Sequence, residues 1–170
     1  YNSCVRVYQC SGNEVFEKNK RIRVSDWQLP DAAQTWLQEQ LDKSKFYRKT
    51  GTHIEHRTGM VNFSIVGRQA NMEERAMYIQ WDEHKLERMI IAAQFNFRFQ
   101  DLQATIGGDT GIDIYAKGKD KAQIVKDFDL TDTLWFFGDA MRPSGNDYSL
   151  SKVVNHAVPV KDWQDTWRIL

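Results

Sequence analysis

Residues 133–150 read TLWFFGDAMRPSGNDYSL, and the fold class turns on them. Leu134, Trp135, Phe136 and Phe137 form an apolar run that stops at Gly138. A short apolar run bounded by turn signals reads as a buried strand. Asp139 follows at once, and Asp147 comes eight positions later, behind Gly145 and Asn146. In open α/β sheets the chemistry lies beyond the carboxyl ends of the strands. Two carboxylates in a loop at that end offer hard oxygen ligands suited to Mg²⁺. The bland alternative is a turn rich in aspartate, with Asp147 capping the next helix.

Upstream, KDKAQIVKDF reads as helical, and its first turn carries Lys121. A lysine there can reach a transferring phosphoryl group. On its own it reads equally as an exposed lysine beside Lys117 and Lys119. The tail KDWQDTWRIL reads as a short amphipathic helix. The last third of the chain is therefore a helix–strand–helix piece of a parallel α/β sheet.

The first two-thirds read as antiparallel strands with helices on one side. CVRVYQC alternates like a strand, Ser11-Gly12-Asn13 is a turn signal, and KRIRV reads as its partner. A helix opens at Pro30-Asp31 and runs to about Phe46, with Ala33, Trp36, Leu37 and Leu41 on one face. THIEHRTGMVNFSIVG reads as a hairpin turning at Thr58-Gly59. That turn pairs Arg57 with Met60, Glu55 with Asn62 and His53 with Ser64. Period-2 alternation puts Ile54, His56, Val61, Phe63 and Ile65 on a packing face. It leaves His53, Glu55, Arg57, Asn62 and Ser64 on a face polar enough to floor a ligand site. Asn71 and Glu74 fit an N-cap and its partner at the start of MEERAMY. A further helix is predicted from Asp82 to about Phe99, then strands LQATIG and GIDIYA joined by Gly107-Gly108.

Three arginines stand out. Arginine suits bidentate phosphate binding. Arg57 falls on the polar hairpin face, Arg68 follows in the loop, and Arg75 lies in the first turn of a helix. The helix dipole opposes a cation there, while the backbone N–H groups favour an anion, so a phosphate partner explains the placement. A solvated surface is the alternative.

Composition narrows the rest. The 170 residues hold 23 basic and 23 acidic side chains, for a formal net charge of zero. That gives no support for a general electrostatic attraction to nucleic acid or an anionic membrane, and neither is expected as a partner, though local basic clusters can still exist. No apolar run approaches the ~20 residues that span a bilayer, and no secretory signal is visible. The chain begins on Tyr1, so a preceding segment is expected. In an extended segment Cys4 and Cys10 would lie about 20 Å apart at ~3.3 Å per residue. Reduced thiols of a cytoplasmic protein are expected.

GKDKAQIV followed by LWFFGDAMRPSGNDYSL resembles the third and fourth motifs of the haloacid dehalogenase superfamily. More narrowly it resembles the phosphomannomutase family found mainly in eukaryotes. GTHIEHRTGMVNFSIVGRQANMEERAMYI resembles that family's cap-domain signature, and IGGDTGIDIYAKGKDK its exit from the cap. The resemblance covers residues 50 to 150 well and 1 to 49 weakly. It implies a mixed α/β fold, with a haloacid-dehalogenase-like parallel-sheet core, partial here, and an inserted α+β cap of antiparallel sheet plus helices. Residues 1–26 would be a core hairpin, 27–115 the cap and 116–170 the C-terminal part of the core.

The resemblance also implies a reaction. Mannose 6-phosphate and mannose 1-phosphate interconvert through a sugar bisphosphate and a phosphoaspartyl enzyme. Arg57, Arg68 and Arg75 would bind phosphate and sugar, with Gly111 and Asp113 beside the sugar. Asp120 and Lys121 would belong to the phosphoryl site. Asp139, Asn146 and Asp147 would hold Mg²⁺. A hexose 1,6-bisphosphate activator and a homodimer through the cap are implied as well.

The family's nucleophile lies in an Asp-x-Asp-Gly-Thr motif upstream of the matching region, so it is expected from a missing N-terminal segment or another chain. DFDLT, residues 127–131, has the spacing, but it precedes the strand and reads as a decoy. Gly111 replaces a serine, IVGR replaces Pro-Ile-Gly-Arg, and GDAMRP lacks a lysine after the aspartate. YAKGKDK replaces a pattern with an aromatic before Asp-Lys. Two alternatives stay open: an inactive phosphosugar-binding or structural protein, and a sugar-phosphate or nucleotide phosphatase on the same scaffold.

Overall fold

The computed structural model describes residues 5–143 and 145–170. Cys4, and with it any pairing to Cys10, lies outside the described residues.

The hairpin at the centre of the chain follows its sequence pattern. β4 (Ile54–Arg57) pairs antiparallel with β5 (Met60–Phe63), Arg57 opposite Met60 and Glu55 opposite Asn62. The Ser64 amide donates to His53 O at 2.9 Å, which continues the register. Gly59 supplies the positive φ, 65°, that the turn requires. β6 (Leu102–Gly107) and β7 (Gly111–Ala116) complete a four-stranded antiparallel sheet of order β4-β5-β7-β6.

One face of this sheet carries Val61, Phe63, Ile112 and Ile114, all buried. Three helices cover it. α1 (Asp31–Lys43) buries Ala33, Leu37 and Leu41, as its 3.6-residue pattern predicts, and ends short of Phe46. α2 (Met72–Lys85) opens on a reciprocal cap. The Glu74 amide donates to Asn71 Oδ1 and the Asn71 amide to Glu74 Oε2, each at 2.9 Å. α3 (Glu87–Arg98) begins after Leu86 takes the left-handed conformation, φ 53°. The helix predicted from Asp82 is thus corrected: Asp82 lies inside α2. Its carboxylate accepts from the Arg88 amide at 2.8 Å and from Arg88 Nε at 2.7 Å, which fixes the restart of the chain.

The N-terminal part is a three-stranded antiparallel sheet, β1 (Arg6–Gln9), β2 (Glu14–Glu17) and β3 (Lys20–Val24). The predicted direct pairing of the first segment with KRIRV is replaced by pairing of both with β2. Only Val15 of the three strands is fully enclosed. Cys10, Ser11 and Gly12, between β1 and β2, take φ values of 47°, 59° and 88°.

After β7 the chain forms a 3-10 helix, Lys121–Asp127, rather than an α-helix. β8 (Trp135–Gly138) then pairs parallel with β9 (His156–Pro159). The predicted buried strand is partly open, with Trp135 60% exposed. Parallel strands are enclosed only when both faces are covered, and within the described residues β8 has one strand partner. α4 (Tyr148–Ser151) packs on the 3-10 helix. α5 (Trp163–Ile169) closes the chain.

Candidate phosphosugar and phosphoryl-transfer site

Opposite the helices, the four-stranded sheet shows a polar row. Glu55, Asn62, Asp113 and Thr105 lie side by side on β4, β5, β7 and β6. Asn62 and Asp113 are 4% and 8% exposed, so the middle of the row is shielded from water. Asn62 Nδ2 donates to Asp113 Oδ1 at 2.7 Å, while Asn62 Oδ1 is buried without a partner. Tyr115, on the same face, shares a 3.0 Å hydrogen bond with Thr105 Oγ1, and burial pushes its phenol up to about 12. It is a neutral hydroxyl at physiological pH. Glycines leave the side chains of the row the space they occupy. A Cβ on Gly107 would sit 2.4 Å from the Asp113 carboxylate, and one on Gly111 2.6 Å from Asn62 Nδ2.

Three elements deliver the three arginines, and the structure joins them. Arg57 on β4 donates from Nε to Glu55 Oε2 at 2.7 Å and from Nη2 to the same oxygen. Arg68, in the loop after β5, places Nε 3.2 Å from that oxygen. Its Nε–H is buried and not aligned for a hydrogen bond. Arg75, in the first turn of α2, donates to Ala70 O at 3.0 Å, Thr110 Oγ1 at 3.3 Å and Arg68 O at 3.1 Å. All three of its acceptors are neutral, so its charge is left for an anion. Glu55 and Asn62 were legible as members of the polar face; Thr110 was not, because its role depends on a turn meeting a helix start.

The second cluster sits at the carboxyl end of β8. Asp139 and Asp147 line an open cavity of about 300 Å³ with Lys121, Asp162 and Trp163. Lys121 Nζ is hydrogen-bonded to Asp147 Oδ1, and the Ala140 amide donates to Asp147 Oδ2 at 3.2 Å. Asp147 is 4% exposed. Asp120 caps the 3-10 helix, accepting from the Ala122 amide at 2.8 Å. Asp139 is exposed and Asn146 half-buried. The donors suit Mg²⁺ in kind, being hard oxygens, and Asp139 is the carboxylate left open, since both Asp147 oxygens are engaged. Among the described residues no group of three metal-ligating side chains converges.

Asp127 has a different use. Arg23 donates to both its carboxylate oxygens, at 2.8 and 2.9 Å, and that pairing holds its carboxyl below the usual carboxylate range. The carboxylate of the Asp-x-Asp look-alike is thus a structural partner of β3. Among the described residues Cys10 has no disulfide partner, and no helix is long and apolar enough to cross a membrane.

The chain matches a family model described as eukaryotic phosphomannomutase over residues 7–170. A phosphomannomutase from Drosophila melanogaster is 38% identical over 130 residues, 72% of this chain and 50% of the fly protein. A phosphomannomutase from Schizosaccharomyces pombe is 36% identical over 121 residues, 67% of this chain and 47% of its own length. The chain thus spans about half the length of these relatives. Among solved structures, an IMP-bound mutant IMP-nucleotidase of Plasmodium falciparum superposes with a TM-score of 0.56 at 14% identity, over 96% of this chain and 46% of that one. At that identity the likeness concerns the fold: mixed α/β, of the haloacid dehalogenase type.

Proposed function

This chain belongs to the eukaryotic phosphomannomutase family, and from that premise we propose that it carries the phosphosugar cap and the lysine–carboxylate cluster of a mannose-phosphate mutase. The observation that carries the reading is the joining of Arg57, Arg68 and Arg75 into one network beside the polar row. A phosphate monoester offers these side chains acceptors of opposite charge, and charge-assisted bonds are about twice as strong as neutral ones. Asp113, fixed by Asn62, accepts a sugar hydroxyl next to the bound phosphate. Gly111, without a side chain, leaves room for the Asn62 amide that holds Asp113.

In the core cluster, Lys121 stabilises negative charge on the phosphoryl group in flight, and Asp147 orients Lys121 through their direct contact. Asp139 and Asn146 would hold Mg²⁺, which would supply positive charge against that of the transferring phosphate. Asp120 sets the position of Lys121 by capping its helix. Catalysis through a phosphoaspartate needs a carboxylate in line with phosphorus. Asp147 is taken by Lys121, Asp127 by Arg23 and Asp162 by the Asp165 amide at the start of α5, and Asp139 would be taken by the metal. The nucleophile is therefore supplied from outside these 170 residues, in the same polypeptide or in trans. The same reading includes a hexose 1,6-bisphosphate activator, a homodimer through the cap and a cytoplasmic location.

The test is to incubate the 170-residue chain with mannose 1-phosphate, a hexose bisphosphate and Mg²⁺. Binding without turnover is expected. Turnover near 1 s⁻¹, an ordinary low enzyme rate, that disappears in Asp127→Asn would make Asp127 the nucleophile and refute the assignment.

A further inference from the structure

Two guanidinium groups share one carboxylate oxygen in the cap. Glu55 Oε2 accepts from Arg57 Nε and Nη2 and lies 3.2 Å from Arg68 Nε. A pair formed only for surface stability would need one partner. Here the carboxylate sits between two arginines on the side of the sheet that carries Asn62 and Asp113. The three side chains are neither buried nor free: Glu55 and Arg57 are each 34% exposed and Arg68 28%. Water, and therefore a small anion, can reach them. Arg68 Nε is nevertheless a buried donor that Glu55 does not satisfy. Arg75 is tied to the Arg68 carbonyl and, among the described residues, forms no ion pair with a carboxylate.

Resting on the phosphosugar reading of this site, we infer that Glu55 is the resident counter-ion of the phosphate cradle and sets its affinity. Its carboxylate occupies the anion position of Arg57 and Arg68 until a phosphate displaces it. Three arginines against Glu55 and Asp113 leave a formal local charge of about +1, opposite in sign to a phosphate monoester dianion. Arg75, without an acidic partner, takes the phosphate first. The other two arginines then exchange the Glu55 oxygen for phosphate oxygens, and Arg68 Nε gains the aligned acceptor it lacks. β4 pins the Glu55 backbone opposite Asn62, so the displaced carboxylate stays within a few ångströms of the phosphate. At that range two like charges still repel appreciably. Glu55 therefore weakens the binding of every anion while it holds the arginines in place.

The experiment titrates mannose 1-phosphate, and inorganic phosphate separately, into the 170-residue chain and its variants by calorimetry. Glu55→Gln is expected to bind both about tenfold more tightly than the parent, as one like charge removed at contact range predicts. Glu55→Asp, which keeps the charge but cannot span both arginines, should gain a few fold, and it serves if the glutamine variant does not fold. Glu39→Gln removes an acid paired with Lys43 at 3.6 Å on α1 and should change nothing. Unchanged or weaker binding by Glu55→Gln, with the parent binding and Arg75→Ala failing to bind, overturns the role of Glu55 and leaves the phosphosugar reading intact. Failure of both parent and Glu55→Gln to bind overturns both.

Discussion

Replacing Lys121 with methionine tests the core cluster most directly. Methionine keeps the apolar stem and removes the ammonium group. Asp147, whose side chain is 5% exposed, would keep only the Ala140 amide. Removing one partner of a buried ion pair typically costs 3–5 kcal/mol. The Lys121 side chain is 32% exposed, so the pair is partly screened, and the remaining amide still supports the carboxylate. We expect a loss of about 2 kcal/mol. For a chain of this size that lowers the melting midpoint by roughly 4–8 °C. Asp147→Asn removes the charge that needs a partner and should cost about 1 kcal/mol. The double variant should then lie near the asparagine variant, giving a coupling energy of roughly 1–2 kcal/mol. Urea unfolding of the four proteins at pH 7 measures it. Additivity within about 0.5 kcal/mol would show that the two side chains act independently. It would also return Asp147 to the pool of open metal ligands, against the assignment made above.

Three further outcomes follow from the geometry. Arg75→Ala should weaken binding of mannose 1-phosphate tenfold or more, and Arg57→Ala by less, because Glu55 already offsets Arg57; equal losses in a calorimetric titration would contradict this. Gly111→Ser, which restores the family's usual residue, brings a Cβ within 2.6 Å of Asn62 Nδ2 and 2.9 Å of Gly107 O. It should cost about 1–3 kcal/mol of stability, and an unchanged melting midpoint would show that the polar row yields. Arg23→Ala should lower stability by under about 1 kcal/mol, since the Arg23 side chain is 44% exposed and the pair is screened by water. Because Asp127 is held below its ordinary value, that difference is present above about pH 4 and fades as pH falls through the folded-state value. A constant difference from pH 7 to pH 2 would refute the pairing.

The elements legible in the sequence are those whose signals are local. Thr58-Gly59 fixes the hairpin register because a two-residue turn leaves one pairing, and alternation then assigns each side chain to a face. The cap at Asn71 and Glu74 is a four-residue pattern. What was not legible depends on distant chain. The break at Leu86 has no glycine or proline to announce it; it rests on Asp82 reaching Arg88. β2 is four residues with Val15 alone enclosed, too short for a period to show. Trp135 reads as buried from its apolar neighbours, but its exposure depends on how many strands flank β8. In the site, the residue types and their faces were readable. The sharing of Glu55 by Arg57 and Arg68 was not, since it joins a strand to a loop. Nor was the capture of Asp147 by Lys121.

The tip of the β4–β5 hairpin has a consequence for how such a chain can change. Gly59 packs so closely that a Cβ there would fall 2.6 Å from Asn13 Cβ and 2.7 Å from Ser25 Cβ. A surface turn of this kind ordinarily tolerates insertion. This one is a spacer of fixed length, since its far side is already occupied by the N-terminal sheet. Any residue added at positions 58–59 pushes Arg57 away from that sheet, and any bulk added at Asn13 does the same from the other end. Glycine at 59 has no side chain to give up, and its positive φ disfavours any other residue, so the two positions, far apart along the chain, are both held to their present size.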